Sequence, residues 1–582
     1  RYVALGTDKF LLIYFEGQLY DVTPLKTTLT SATIATTNGS STCTITKAAH
    51  GLAVGDIVQL DSVTLPGGTG FTNADFEDKN FQVIAVPTTG TFTINQASNA
   101  SGTVSTGGSL SIKPYEPVGP REQTYGYGWG MDPYGNGNWG EAAAASDVTL
   151  EPGLWSLSNF GEVLVATILN GKTFTWNSGI SQRLTTRASS TTSNFETTNN
   201  PTKTRVSLIS PTTRHLIHLG TETIIGTPDS QDDMFIRFSD QEDINTYAPT
   251  AVNTAGTQRL QDGTKIIGAI KAKEVILIWT DNALYTMKFI GAPFTFAVEQ
   301  VGTNCGLIGQ NAVVEIDGAA FWLSPKGFFL YDGTVKSIPC TVEDFVFDNF
   351  DTTKGQQVTA GLNNLFTEIT WYYPSSSSDY NDKYVVFNFG ESPGVAGGVW
   401  YTGTEARTSW MDATTYPNPY ATKYDSTANG TFPVVVGQSG LGQTTYFEHE
   451  VGTDQVNPNG TTTTVTSSIE SYDIDLEQRQ RDAKGRASGP KVAGEVFLAV
   501  RRFIPDFKTL QGNSKISLDV KRYPQQASKT STYSPFTVNA NTIKKDTRAR
   551  GRFVSLKIEN VNPSESWRFG TFRLDVQPDG RR

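Results

Sequence analysis

The sequence predicts a mainly β protein: a β-propeller body, a small β-barrel inserted near its start, and a further β-rich region at the C-terminal end. Three observations carry this. Only 18% of residues are charged, whereas Thr (77 of 582), Gly (55) and aromatic residues (11%) are plentiful. That composition suits pleated sheet and turns, and neither a helical bundle nor a disordered polyelectrolyte. Short strand–turn–strand units recur along the chain, and one of them echoes another far downstream. The length, 582 residues, is well beyond the ~250–300 at which a single core stops growing, so several domains are expected.

The units are read in chain order. Phe10–Tyr14 and Leu19–Val22 flank Glu16-Gly17, and Val163–Thr167 and Thr173–Trp176 flank Asn170-Gly171. Asn-Gly tolerates positive φ at both positions and is the strongest short hairpin signal here. Glu274–Thr280 and Ala283–Phe289 flank Asp281-Asn282. A meander follows, with strands at Val313–Ile316, Ala319–Leu323, Phe328–Tyr331 and Val335–Ile338, and turns at Asp317-Gly318, Ser324–Gly327 and Asp332-Gly333. Short strands so spaced read as sandwich, barrel or propeller.

The echo favours the propeller. Glu16-Gly17 leads to Val22-Thr23-Pro24 as Asp332-Gly333 leads to Ile338-Pro339, each after an aromatic-rich strand. A blade buries its faces only against its neighbours, so repetition is required. Helix is expected at Thr341–Phe350, with Thr341 as cap and Asp344 three residues on, and less strongly at Gln356–Phe366.

Two stretches break the pattern. Residues 25–113 are Thr/Ser/Gly-rich with β segments at Cys43–Thr46, Ile57–Leu60, Phe81–Val86 and Phe92–Ile94, as expected of an inserted barrel. Residues 115–140 crowd Gly with Tyr125, Tyr127, Trp129, Tyr134 and Trp139, and read as a bridging loop or an aromatic contact surface. The resulting division is 1–24 for the first propeller strands, 25–113 for the insert, 114–470 for the body and 471–582 for a basic C-terminal region.

Charge divides the same way. Residues 471–582 hold 22 Lys and Arg against 12 Asp and Glu, a net of +10, while residues 1–470 carry −20. The asymmetry implies two surfaces with different partners. The basic clusters are Arg479, Arg481, Lys484 and Arg486, then Arg501 and Arg502, then Lys544, Lys545, Arg548, Arg550 and Arg552, with Phe503, Phe507, Phe553 and Trp567 nearby. Basic plus aromatic chemistry suits single-stranded nucleic acid. A protein-docking face fits as well, because alternation along Val496–Val500 would turn one of Arg501 and Arg502 inward and the other outward.

Catalytic and cofactor signatures are missing from the sequence. Gly135-Asn136-Gly137-Asn138-Trp139-Gly140 matches a dinucleotide fingerprint, but no strand precedes it, no helix follows, and Trp139 crowds the approach the glycines exist to permit. There is no phosphate-binding P-loop and no nucleophile elbow. The four histidines are His50, His215, His218 and His449. His215 and His218, three apart on a strand, face opposite ways and cannot share a metal. Asp229, Asp232, Asp233, Asp240, Glu242 and Asp243 lack the spacing and glycine of a calcium loop. Paired carboxylates for glycoside hydrolysis remain open, since their separation is not readable from sequence. Cys43, Cys305 and Cys340 are too few for a disulfide framework and fit buried thiols in a reducing compartment, with a Cys305–Cys340 pair the only alternative. No apolar run approaches the ~18 residues of a membrane span. No secretory leader opens the chain, and a start at Arg1 leads us to expect sequence before it.

Several blocks resemble one family. Phe238-Ser239-Asp240-Gln241-Glu242-Asp243, Asn253-Thr254-Ala255-Gly256 and Arg259-Leu260-Gln261-Asp262-Gly263 are followed by Gly302-Thr303-Asn304-Cys305-Gly306-Leu307-Ile308-Gly309, Phe328-Phe329 and Tyr331-Asp332-Gly333. Near the end come Arg548-Ala549-Arg550-Gly551-Arg552, Trp567-Arg568, Arg573-Leu574-Asp575 and Pro578-Asp579-Gly580-Arg581. In this order they resemble the tail nozzle (tail tubular B-type) proteins of short-tailed bacteriophages. Thr44-Ile45-Thr46, His50-Gly51, Gly55-Asp56, Val58, Phe81-Gln82-Val83 and Phe92-Thr93-Ile94 are similar to a small barrel of phage tail proteins named for a half-domain of ubiquitin-activating enzymes, with His50 a turn residue rather than a catalyst.

The resemblance implies a structural virion protein, not an enzyme and without cofactor or metal. It would be assembled in the host cytoplasm into a homohexameric ring at the end of the viral tail. Its bore would continue the channel for double-stranded DNA, retain the packaged genome and open for ejection. Implied partners are further copies of itself, the tail adaptor, tail fibres and the passing DNA. Arg479, Arg481, Arg501, Arg502, Lys544 and Lys545 are then candidates for docking on the adaptor or a neighbouring subunit, and the acidic body is expected to line the bore. The competing expectation is a receptor-binding or polysaccharide-degrading tail protein, favoured only by the aromatic stretch at 115–140. A nucleic-acid-binding protein using the basic end is the third.

Overall fold

The computed structural model describes residues 2–122, 151–190, 199–291, 293–392, 397–414, 416–428, 430–438, 442–457, 460–475, 478–481, 487–492, 496–523, 531–560, 562–571 and 573–580, with 478–481, 487–492 and 531–534 described by backbone alone. The chain divides into two compact units, Arg1–His449 and Glu450–Arg582. The division falls before residue 471, where the charge shift had placed it.

Among the described residues the first unit holds a succession of seven antiparallel sheets, besides the sheet of the insert. The first is Val3–Gly6, Leu11–Phe15 and Gln18–Asp21, and the second is Trp155–Phe160, Val163–Ile168 and Thr173–Asn177. The third begins at Thr204–Ile209, the fourth at Ile266–Ala272, the fifth at Val313–Ile316 and the sixth at Thr359–Asn363, each of four strands in simple meander order. The seventh is Ser409–Met411, Tyr420–Asp425 and Gln443–Glu448. Each sheet packs through its first strand on the first strand of the next, from the second sheet to the seventh. Tyr14 of the first sheet meets Tyr420 and Tyr446 of the seventh and Tyr416 in the loop between its first two strands, and the first and second sheets share a core through Leu11, Ile13, Trp155 and Leu164. The arrangement is consistent with a β-propeller.

Tryptophan holds several of these joints. The indole N–H of Trp155 donates to the Thr7 carbonyl of the first sheet at 2.8 Å, that of Trp371 to Ala312 of the fifth sheet at 3.1 Å, and that of Trp410 to Leu362 of the sixth at 2.7 Å. A large apolar ring with one polar handle can be buried only if the handle is satisfied. Two of the rings lie on glycines: a Cβ on Gly6 would stand 2.4 Å from Trp155, and one on Gly361 would stand 2.6 Å from Trp410.

The hairpins form largely where the turn residues place them. Glu16-Gly17 and Asp317-Gly318 both have positive φ at the two turn positions (49° and 83°, 51° and 94°). Asn170-Gly171 departs from expectation, since only Asn170 is left-handed (φ 56°) and the turn is longer, with the Gly171 N–H donating to Ile168. The supposed echo joins unlike places: Glu16-Gly17 links second and third strands of its sheet, Asp332-Gly333 third and fourth. The helix is shorter than expected, Glu343–Phe347, and its N-cap is Val342 without a side-chain cap, so Thr341 does not cap it. Gln356–Phe366 is not helical: a 3-10 turn ends at Gln357, and Thr359–Asn363 is the first strand of the sixth sheet, its Thr and Ala packed against neighbours.

The insert folds around its own core. Seven strands between Leu29 and Pro114 form one curled sheet, and an eighth, Val435–Val436, comes from the seventh sheet's loop. Cys43 and Ile45 face Phe92 and Ile94 inside, with their alternate neighbours outside, as period-2 patterning requires. The Val83 N–H donates to Asp56 and the Ile84 N–H to Thr93, so the link between strands reaches both sides of the curl.

In the second unit two sheets share one core. Leu498, Val500 and Phe503 of one meet Ile516, Leu518, Val520, Val554, Leu556 and Ile558 of the other.

Candidate docking surface

The basic candidates occupy defined places in the second unit. Arg479 and Arg481 lie on the two-stranded hairpin Gln478–Arg481/Ala487–Val492, Arg479 opposite Lys491. Arg501 and Arg502 lie on Leu498–Ile504, which pairs with Lys545–Gly551. Simple alternation would have turned one of the two arginines inward. A β-bulge between Val500 and Arg502 prevents it: this strand takes two steps where Arg573–Pro578 takes one, Val500 and Phe503 are both buried, and Arg501 is left exposed and Arg502 half-exposed. The partner strand alternates strictly, with Thr547, Ala549 and Gly551 buried and Asp546, Arg548 and Arg550 outward.

The structure thereby gathers Arg501, Arg502, Lys544, Lys545 and Arg548 at one strand pair, and places Arg479 and Arg481 on another hairpin. Arg502 Nε pairs with Asp546 at 2.7 Å, opposite it in register. That hydrogen bond leads the causes that lower the Asp546 carboxyl, and Lys544 adds to them. Arg550 pairs with Asp579 and lies over the Phe497 ring, as does Arg552. Arg501 and Arg548 are exposed and make no ion pair among the described residues. Two outward guanidinium groups beside a screened pair make a surface suited to carboxylates or phosphates, because arginine presents a planar fork of donors.

The other candidates for chemistry are structural. His215 and His218 are fully buried. His215 contacts the hydroxyls of Thr213 (2.6 Å) and Thr254 (2.9 Å), and His218 those of Tyr247 (3.0 Å) and Thr204 (3.3 Å). Burial drives their pKa down to about 4 and about 3, so both are neutral core groups. His50 accepts from the Leu52 N–H in a turn of the insert, and His449 accepts from Arg407 Nε at 2.9 Å. The acidic run is dispersed: Asp232 pairs with Arg259, Glu242 with Arg214, Asp240 accepts from Thr254, and Asp243 from Asn245 and Thr246. Cys43, Cys305 and Cys340 are free thiols. The Gly135–Gly140 match and most of the aromatic stretch at 115–140 lie outside the described residues. No helix among the described residues is long and apolar enough to cross a membrane.

One cluster escaped sequence reasoning. Glu151 receives both Arg205 Nη atoms, at 2.8 and 2.9 Å, and Lys265 Nζ at 2.6 Å. Arg205 on the third sheet also donates from Nε to the Ile266 carbonyl of the fourth, and Asn170 of the second donates to Glu151 at 3.0 Å. Burial alone would raise the Glu151 pKa, but Arg205 and Lys265 outweigh it and hold it at about 2. The cluster ties three successive sheets. Asn170 was legible only as a turn residue, and nothing local marks Glu151.

No family model and no curated protein matches the chain. Solved structures similar to it include Hsv2 of Kluyvelomyces marxianus, 9% identical over 51% of this chain and 82% of that one, with a TM-score of 0.26. An S. cerevisiae complex of Dbp5, Nup159 and Gle1 matches with 9% identity over 51% and 73% and a TM-score of 0.29. The phage phi92 endosialidase matches with 12% identity over 84% and 67% and a TM-score of 0.16. At such scores none of them bears on function, and the fold description rests on the chain's own strand pairing.

Proposed function

We propose that this chain is a structural tail nozzle protein of a short-tailed bacteriophage, assembled as a ring around the DNA channel, and not an enzyme. The observation that carries the reading is the partition of charge between two separately packed units. The body is acidic, and the small C-terminal sandwich displays arginines on one strand pair. An acidic wall repels DNA phosphates, and so avoids the counterion-release affinity that would retard passage. The basic unit then serves contacts to the adaptor or to neighbouring copies through Arg501, Arg502, Lys544 and Lys545, with Arg479 and Arg481 on their hairpin as further contacts. The neutral buried histidines and dispersed acids fit a mechanical role.

The test is placement on a particle. Antibody fragments against residues 38–105 of the insert are imaged on virions containing the chain. A ring of label at the distal tail is expected. Label confined to fibres, or reducing sugar released from host polysaccharide by the purified chain, would favour the receptor-binding or polysaccharide-degrading reading instead.

A further inference from the structure

The seven sheets are joined by the chain everywhere except between the seventh and the first. Among the described residues that seam has no shared strand: each of its two sheets has three strands of its own. Among the described residues the direct contacts across it include Tyr14 against Tyr416, Tyr420 and Tyr446, with ring centroids 6.2, 6.4 and 5.2 Å apart. Closing a circuit whose ends are hundreds of residues apart costs loop entropy that such contacts must offset.

The insert bridges this seam. Its entry and exit legs are tied together just after the first sheet, since Lys26 N–H donates to Pro114 and Glu116 N–H to Pro24, each at 2.8–2.9 Å. Tyr115 at its exit donates its hydroxyl to Asp21 Oδ2 at 2.7 Å, and Arg187, beside the second sheet, donates to that hydroxyl at 2.8 Å. From the other side the seventh sheet's loop sends Val435–Val436 onto the insert's edge, parallel to Lys79–Gln82, Val435 opposite Asn80 and Val436 opposite Phe81. Val435 is buried with Ile57 and Tyr115, and Phe10 of the first sheet packs on the same cluster. Gly437 closes the strand at φ 61°, and a Cβ there would stand 2.1 Å from the Asn95 carbonyl.

We propose that the insert is the clasp of the ring: its edge captures Val435–Val436 and so fastens the seventh sheet to the first. The insert is then a working part of the body rather than an ornament on its exterior, and Val435–Val436 is the segment it holds. Backbone pairing supplies the grip, and the Gly437 approach fixes the register.

Hydrogen exchange of the full chain tests this. Gly437→Ala should expel the strand, because the new methyl meets backbone. Exchange should then quicken at least tenfold in the first and seventh sheets, and stay unchanged in the fourth sheet, 266–303. Faster exchange at 79–82 alone, with the seam sheets unaffected, would overturn the proposal. Should that variant fail to fold, the pair Asn80→Cys with Val435→Cys answers the same question. Oxidation should slow exchange in both seam sheets and reduction should restore it. Failure of the pair to oxidise, or identical exchange in the two states, would overturn it.

Discussion

Replacing Glu151 by Gln removes the charge on which Arg205 and Lys265 converge. The Arg205 side chain is 4% exposed and that of Glu151 is 12%, so the loss leaves a buried guanidinium with only the more distant, half-exposed Asp233 carboxylate, 3.6 Å away, as an ionic partner. Breaking a buried pair in this way costs about 3–5 kcal/mol. The pH dependence gives an independent figure. The Glu151 carboxyl, held at about 2 against an ordinary 4.5, contributes ~3 kcal/mol of stability at neutral pH. The folded pKa is depressed, so this contribution is fully present above pH 4.5 and disappears as pH falls towards 2. The assay is urea unfolding followed by tryptophan fluorescence between pH 7 and 3. Nine of the ten tryptophans precede residue 450, so the signal reports the first unit. Glu151→Gln should be less stable by about 3 kcal/mol at pH 7, and the gap should narrow steadily below pH 4.5. Parallel curves for the two proteins would refute the assignment.

Other outcomes follow from the same contacts. Gly361→Val should destabilise the first unit by more than an ordinary surface change, since its side chain must displace Trp410; thermal unfolding monitored at the tryptophans measures it. Asp546→Ala should leave the unfolding of the second unit unchanged within error, because its pair with Arg502 is solvent-exposed and screened. The native protein should give almost no thiol reaction with a disulfide reagent at pH 8, and three thiols after unfolding, because burial pushes Cys43 and Cys340 to about 11 and raises Cys305. A single thiol after unfolding would reveal a Cys305–Cys340 bond.

The parts of the fold that were legible in the sequence are those set by local chemistry. The glycines of Glu16-Gly17 and Asp317-Gly318 adopt positive φ at no steric cost, and the strands on either side follow. The alternation at Cys43–Ile45 and Phe92–Ile94 revealed the insert's inner face. What escaped depends on distant neighbours. Thr359–Asn363 carries no strong local preference, and becomes a strand because it pairs antiparallel with Glu368–Pro374, from Thr359 opposite Tyr372 to Asn363 opposite Glu368. The strand Val435–Val436 is two residues long and exists only because the insert's edge lies beside it. The basic surface was half legible: the run of charges was visible, but the bulge that turns Arg501 and Arg502 outward together was not.

As a tail nozzle, the chain would surround the DNA path with its acidic body and make its docking contacts through the basic unit. A symmetry-averaged reconstruction of the viral tail tests it most directly. The account predicts a sixfold ring of this chain at the distal end, with carboxylates of the first unit lining the bore and Arg501, Arg502, Lys544 and Lys545 against the adaptor or a neighbouring copy. A bore lined by Arg479, Arg501 or Lys544, or the absence of this chain from the ring, would contradict it.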